Sequence, residues 1–309
     1  MERRSKLTKI SVIIPTFNGA NRVLTTLKSI GSQGYKAFEV IVVIDGSNDG
    51  TFERLNAYDP DFKIKILEQN NRGRAGSRNR GASEAEGNLL VFVDDDMRLT
   101  SDCLSAHHKH HEVFEDLILS GGQIGDDTKN TVSDFQKFKS HLERQWHDRF
   151  PDGLMLLDED NLYLTAAHMS IKKTTFERLG GFDERLTDKE DFEFALRALN
   201  LGARVGIDKT ILAYHDDFQT CAGYVNRRRQ YLRAHEKLLD LSVLYRATHR
   251  HSIENEGVKR PFYSLFSFRV WVRWVDEGRL RFLPVRVRYW LYRIIIWSQS
   301  SYFPGKKID

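Results

Sequence analysis

The chain has 309 residues, 40% of them hydrophobic and 29% charged, a composition that excludes a disordered chain. Its 47 Lys and Arg against 43 Asp and Glu give a net charge of +4, too little for a protein that meets nucleic acid over its whole surface. The balance is uneven. Residues 259–309 hold eleven Lys and Arg against three Asp and Glu, a net +8, leaving residues 1–258 at −4.

In chain order, Ile10–Pro15 is a short β-branched run ended by proline and reads as a buried strand. Asn21–Ile30 has helical apolar spacing and closes at Gly31; Phe38–Ile44 is a second continuous apolar strand. Asp49–Tyr58 reads as a short helix, Lys63–Leu67 as an alternating strand, Arg74–Glu86 as a helix, and Leu89–Val93 as a fourth strand. Strands and helices alternating at this spacing predict a mostly parallel central sheet with helices on both faces. Beyond residue 100 the spacing predicts helices at Thr100–Glu115, Ser133–Phe150, Asp188–Leu201 and Tyr224–Thr248. Strands are expected at Leu117–Gly122, Leu162–Ile171, Arg204–Ile207 and Thr210–Tyr214. Residues 1–250 read as one domain and residues 251–309 as a basic, aromatic helical tail.

Cys103 and Cys221 lie far apart without metal-type spacing, so a reducing compartment is expected. Ile10–Ile14 is too short for the apolar region of a signal peptide, and no run of about eighteen uncharged apolar residues occurs. The expected location is the cytoplasm, with peripheral attachment at the inner face of the cell membrane open through the tail.

The chemistry-bearing residues gather where the strands end. Asp94-Asp95-Asp96 follows the fourth strand, where alternation points Asp94 and Asp96 the same way. Ligands of open α/β sheets bind beyond the carboxyl ends of strands, and carboxylates there suit a hard divalent ion that also takes diphosphate oxygens. A solvated acidic turn is the other reading. Asp45 ends the second strand in the same row, and Pro15-Thr16-Phe17-Asn18 follows the first. No G-x-G-x-x-G follows strand one and no G-x-x-x-x-G-K-[ST] occurs, which disfavours a dinucleotide site and a P-loop.

The ordered set Ser11-Val-Ile-Ile-Pro-Thr-Phe-Asn18, Asp45-Gly-Ser-Asn-Asp-Gly-Thr51, Asn71-Arg-Gly-Arg-Ala-Gly-Ser-Arg-Asn79 and Asp94-Asp-Asp96 resembles the family 2 glycosyltransferases. The likeness continues through Met169-Ser-Ile171, Gly180-Gly-Phe-Asp-Glu184 and Glu190-Asp191, and covers roughly residues 8–235. It implies the GT-A fold, a Rossmann-like sheet flanked by helices. It also implies metal-dependent, inverting transfer of a sugar from a nucleotide-diphosphate-sugar, UDP-linked in the first instance, with Mn2+ or Mg2+ as the ion. By the same resemblance Pro15, Thr16, Phe17 and Asn18 border the nucleobase and Asp45 holds it. Arg78 lies near base or diphosphate, Asp94 contacts the ribose beside Asp95, and Asp96 is the metal ligand. One departure is Ile44-Asp45, where the family often has two aspartates; this bears on the identity of the nucleotide.

An inverting transfer needs one general base on the acceptor hydroxyl. Asp191 matches the family's base position and Glu190 is the alternative; a carboxylate that merely faces a helix dipole is the bland reading of either. His215, after a predicted strand, is a second metal ligand or an exposed loop histidine. His168 reads as a core or rim histidine or a contact to donor or acceptor. The cluster His107, His108, His110 and His111 reads as a solvated helix face. Arg229, within Arg227–Arg233, is a candidate for the donor diphosphate, against a plain basic helix face.

In the tail, Arg286, Trp290, Arg293 and Trp297 fall on one side of a helix through Val285–Ser301, with Val287, Leu291, Ile294 and Ile295 elsewhere. An anionic membrane surface, packing on the rest of the chain, and a homo-oligomer contact all suit such a tail. The expected partners are a nucleotide-sugar donor and a glycan or lipid-linked acceptor, in polysaccharide or cell-surface glycan synthesis. A sugar nucleotidyltransferase would carry a basic glycine-rich loop after strand one, which Pro15-Thr16-Phe17-Asn18 lacks; an inactive nucleotide-sugar binding protein is the third class.

Overall fold

A computed structural model describes residues 9–126, 132–241, 245 and 260–306. In chain order the elements are β1 (Ile10–Thr16), α1 (Val23–Gly31), β2 (Phe38–Asp45), α2 (Thr51–Asn56), β3 (Lys63–Gln69), α3 (Gly73–Ser83), β4 (Leu89–Val93), β5 (Met97–Leu99), α4 (Cys103–Val113) and β6 (Leu117–Gly125). There follow α5 (Asp134–His147), β7 (Leu154–Leu157), β8 (His168–Lys172), α6 (Lys173–Arg178), α7 (Glu190–Asn200), β9 (Arg204–His215) and α8 (Cys221–Leu241). The last helices are α9 (Arg260–Ser264), α10 (Arg269–Asp276) and α11 (Val285–Trp297), the last running into a π-type turn at Ser298–Tyr302.

Two compact units result, Met1–Ile124 with Trp146–Asp216, and Gly125–Gln145 with Asp217–Asp309. The domain boundary expected at 250 lies outside the described residues, as does the end of the helix expected to reach Thr248. The division between units instead falls at Asp216, so that α8 belongs with the tail.

The first unit is built on one sheet in the order β3-β2-β1-β4-β8-β6-β9-β5, with β7 paired to β9. β1 pairs in parallel with β2 and β4, and β2 with β3, as the strand–helix alternation requires. From β4 onward the pairings β4–β8, β6–β8, β5–β9 and β7–β9 are antiparallel. Every residue of β1, β2 and β4 is buried, whereas the edge strand β3 alternates and turns Lys63 and Lys65 outward to Glu86 and Glu84. Alternate residues of one strand feed different cores. Ile13, Ile41, Val43 and Phe92 pack with Phe176, Phe182 and Phe194 on one face. Ile10, Val12, Ile14, Val40 and Val42 pack with Leu27, Ile30 and Leu104 on the other. At roughly 1.5–3 kcal/mol per fully buried large side chain, these two layers hold the strand ends in place.

Four elements differ from the sequence reading. β5 and β7 are additional short strands, and β9 is one strand because Asp208 and Lys209, read as a break, continue it opposite Leu154. β8 starts at His168, six residues after the expected start.

The second unit has its own core, with Phe135, Phe138, Val225, Val272, Val275, Tyr292 and Ile295 at its centre. Asp134 anchors it, accepting from Arg288 Nη2 at 2.8 Å and Tyr292 Oη at 2.7 Å. Asp276 receives the Cys221 and Ala222 N–H groups that open α8. Ile294 and Ile295 of α11 are buried here, so much of the aliphatic face expected to meet either lipid or protein packs inside this unit. Among the described residues no helix is long and apolar enough to cross a membrane.

Candidate active site

The parallel register of β1, β2 and β4 brings their carboxyl ends to one edge of the sheet, and the Asp94–Asp96 turn leaves from there. The turn sends successive carboxylates apart. Asp94 Oδ1 accepts from Arg78 Nη2 at 2.7 Å. Burial alone would raise the Asp94 carboxyl, but Arg78 and Arg74 hold it below the usual carboxylate range. Asp95 points the other way and accepts from Thr16 Oγ1 at 2.6 Å and Arg22 Nη2 at 3.1 Å; burial pushes it up against both partners. Gly19 is needed beside this pair, since a Cβ there would sit 2.0 Å from Thr16 Oγ1 and 2.4 Å from Asp95 Oδ2.

Asp96 is the exception. Its Oδ1 is buried without a hydrogen-bond partner and lies 3.5 Å from His215 Nε2 at the end of β9. The Asp216 N–H donates to the Asp96 carbonyl at 2.8 Å, which fixes the two segments together. An orphaned carboxylate oxygen facing an imidazole is a donor pair that suits a divalent cation. Among the described residues no group of three or more His, Cys, Asp or Glu side chains converges as a cation site, so any ion would complete its shell with oxygens from elsewhere.

Arg78, on α3 and 2% exposed, ties this edge to α7 by donating from Nη1 to Glu190 Oε1 at 2.6 Å. Glu190 is thereby held in a buried ion pair. Asp191, next in the first turn of α7, is partly exposed and accepts from the Phe192 N–H at 2.8 Å. Burial and the neighbouring Glu190 push its carboxyl up to about 7, against the opposing charge of Arg78 and the N–H donors of Phe192 and Ala166. The residue before the pair, Lys189, has a left-handed backbone with φ 61°, a strained entry into the helix. Asn79 clasps the turn upstream, donating to the Phe182 carbonyl at 2.8 Å and accepting its N–H at 2.9 Å. Arg22, Asn79 and Lys189 were not singled out in the sequence; the left-handed φ and long-range contacts that mark them are tertiary.

Several expected site residues have other duties. Asp45 caps α3: its two oxygens accept the N–H groups of Arg72 and Gly73, each at 2.8 Å, and the Gln69 amide at 2.7 Å. Those bonds give the carboxylate assigned above to a base a structural role at the start of α3. Thr16 and Asp95 satisfy each other rather than facing outward. Pro15 is buried in β1, Phe17 stands exposed, and Asn18, at φ 49°, exchanges hydrogen bonds with the Ser47 and Asn48 region of the neighbouring loop. Arg229 is not among these residues: it lies in the second unit, where its guanidinium donates to the Gln299, Phe303 and Lys306 carbonyls.

The histidines of α4 do not form a solvated face. His107 and His111 are buried, and with Ser170 and His168 on β8 they form one hydrogen-bonded chain. His168 Nδ1 lies 3.3 Å from the Gly122 carbonyl, which can only accept, so the proton sits on Nδ1. His107 Nε2 must then donate to His168 Nε2, Ser170 to His107 Nδ1, and His111 Nε2 to Ser170. All three imidazoles are neutral in this pattern. His168 is a core histidine, opposite Val93 and one residue from Asp94 in register.

Residues 11–180, more than half of the chain, match the model of glycosyl transferase family 2. The chain belongs to that family. It is 39% identical over 115 residues to the uncharacterized glycosyltransferase YfnE of Bacillus subtilis, covering 37% of this chain and 29% of that protein. It is 40% identical over 119 residues to the GalNAc(5)-diNAcBac-PP-undecaprenol beta-1,3-glucosyltransferase of Campylobacter jejuni, covering 36% of this chain and 38% of that protein. The match thus spans well under half of either relative. In structure the glycosyltransferase resembles a mannosyltransferase from Pyrobaculum calidifontis in complex with GDP-Man and Mn2+, with a TM-score of 0.63, 18% identity, and 97% of this chain and 88% of that one covered. It also resembles S. aureus TarS in complex with UDP, with a TM-score of 0.55, 17% identity, and 97% and 93% covered. These likenesses establish the GT-A fold. Glu190, Asp191 and His215 all lie beyond the family-matched segment.

Proposed function

We propose that this glycosyltransferase transfers a sugar, with inversion, from a UDP-linked donor to a hydroxyl of a glycan or lipid-linked acceptor, with Asp191 as general base. The observation that carries this reading is the division of labour in the first turn of α7. Glu190 is held in an ion pair with Arg78, while Asp191 is partly exposed with a carboxyl pushed up to about 7. A base near neutrality can both exist deprotonated and accept a proton in the transition state. As the acceptor oxygen bonds to the anomeric carbon, its proton passes to Asp191, and the bond from that carbon to the diphosphate oxygen breaks on the opposite face.

Asp94, held ionised by Arg78, is suited to accept from a ribose hydroxyl, and the exposed Phe17 ring offers a face to the base. Asp96 and His215 would hold Mn2+ or Mg2+. Bound there, such an ion supplies positive charge to the departing diphosphate. The name of the Campylobacter relative, a transferase acting on an undecaprenol-linked glycan, favours a lipid-linked acceptor within cell-surface glycan synthesis.

A panel of nucleotide sugars scored by thermal shift, with Mn2+ or Mg2+ present, tests the reading. A UDP-sugar should stabilise the fold by about 2.7 kcal/mol at a hundredfold excess over its Kd. Stabilisation by a GDP-sugar alone would overturn the assigned nucleotide, and none by any nucleotide sugar would overturn the function.

A further inference from the structure

The tail presents a face that its own unit covers only in part, with Arg293 bonded to Gln145 and the Trp297 ring beside Arg228. On α11 the residues Arg286, Trp290, Arg293 and Trp297 are spaced four, three and four apart and form one stripe about 17 Å long. Trp290 is 55% exposed and Trp297 49%, while Phe282, just before the helix, is 80% exposed. The same helix buries Ile294, Ile295 and Ile296, so its exposed side is an alternation of arginine and tryptophan flanked by the exposed Val285 and Val287. Large exposed aromatics are avoided on surfaces that meet only water.

The N-terminal half of this stripe borders a cavity of about 350 Å3 lined by His141, Val285, Arg286, Tyr289, Trp290 and Arg293. Arg293 donates to Gln145 Oε1 at 2.6 Å, while Arg286 has no ion-pair partner among the described residues. Two guanidinium groups and two aromatic rings around an apolar floor fit a phosphate diester with its acyl chain beginning below it.

We propose that this stripe docks the protein on the surface of an anionic phospholipid bilayer, with a lipid phosphate between Arg286 and Arg293 and the Trp290, Trp297 and Phe282 rings at headgroup depth. Charge complementarity selects this occupant. Residues 259–309 carry a net +8, which an anionic surface attracts. A second copy of the chain meeting it through the same face would bring the same charge. Two of the three acidic residues of this segment are engaged, Asp276 on the first N–H groups of α8 and Glu277 with Arg273 and Arg279. The inference is independent of the sugar and acceptor proposed above.

Flotation of the full chain with vesicles of equal parts phosphatidylglycerol and phosphatidylcholine, against pure phosphatidylcholine, tests it. The wild-type protein should float with the first and stay behind with the second. Substituting Arg286→Gln and Arg293→Gln together should lower partition by about 30-fold, at an unchanged melting temperature. Bromine-labelled phosphatidylglycerol should quench the wild-type tryptophan emission, and less so after Trp290→Phe and Trp297→Phe. Equal behaviour on both vesicle types would overturn the proposal without need of any variant. So would full partition of a folded arginine double variant, or a dimer by light scattering that ignores vesicles.

Discussion

Asp191 and Glu190 are adjacent carboxylates with opposite fates, and Arg78 is the cause. Its guanidinium, 2% exposed, donates to Asp94 and Glu190 but not to Asp191, whose proton affinity rises with burial beside a second carboxylate. Removing one member of such a buried arrangement typically costs about 3–5 kcal/mol, because the remaining charges lose their partner. With Asp191 as the proposed base, the raised carboxyl predicts the pH dependence of transfer. A base works only when deprotonated, so kcat/KM should climb with pH through a midpoint at about 7, not at the value near 3.9 of an ordinary aspartate. A pH–rate profile flat from pH 5 to 8, a range of about three units around that midpoint, would contradict the assignment. The sequence pointed to both residues through their motif but left them unseparated. Neighbours on a helix project about 100° apart, and which one meets Arg78 depends on α3, more than a hundred residues earlier.

Among the elements, the β/α half was legible because its signals are local. β1, β2 and β4 are mainly apolar runs closed by turn residues, and helix starts and stops carry glycine. β5 and β7 were not legible, being three and four residues long, shorter than any window in which alternation can be counted. The buried face of α4 was invisible for a different reason: histidine is scored as polar, and only the opposite element, β8, shows that it is satisfied inside. That chain of neutral imidazoles makes a prediction about acid stability. Burial pushes His111 down to about 3 and His168 down to about 4, and His107 well below its usual value; Lys172, His108 and His110 add to the effect at His111. The unfolded chain therefore takes up protons that the folded one refuses, and stability is lost as pH falls below about 6.5. Urea denaturation should show a loss of about 2 kcal/mol per buried histidine between pH 8 and pH 5, with His168→Gln reducing the slope. Equal stability at both values would show that the three rings are not held neutral.

On the scale of the whole molecule, a net charge of +4 conceals two environments. Residues 1–258, at −4, contain the Asp94–Asp96 edge, Asp45 and the α7 carboxylates, an acidic surround that suits the cation proposed for Asp96 and His215. Residues 259–309, at +8, pair an internal aliphatic core with an external arginine and tryptophan stripe. The sequence showed the charge split and the stripe, but not that Ile294 and Ile295 of the aliphatic face are already covered, because helical spacing places residues on a face without saying what packs there. The fold and family of the catalytic unit belong to a whole set of motifs in order. The reaction proposed here turns on one carboxylate. The measurement is sugar transfer by the wild-type protein and the Asp191→Asn variant, using the donor that best stabilises the fold. The variant should transfer between about 100- and 10,000-fold more slowly while the thermal shift given by the donor is retained. Transfer by Asp191→Asn at the wild-type rate would remove Asp191 from the chemistry.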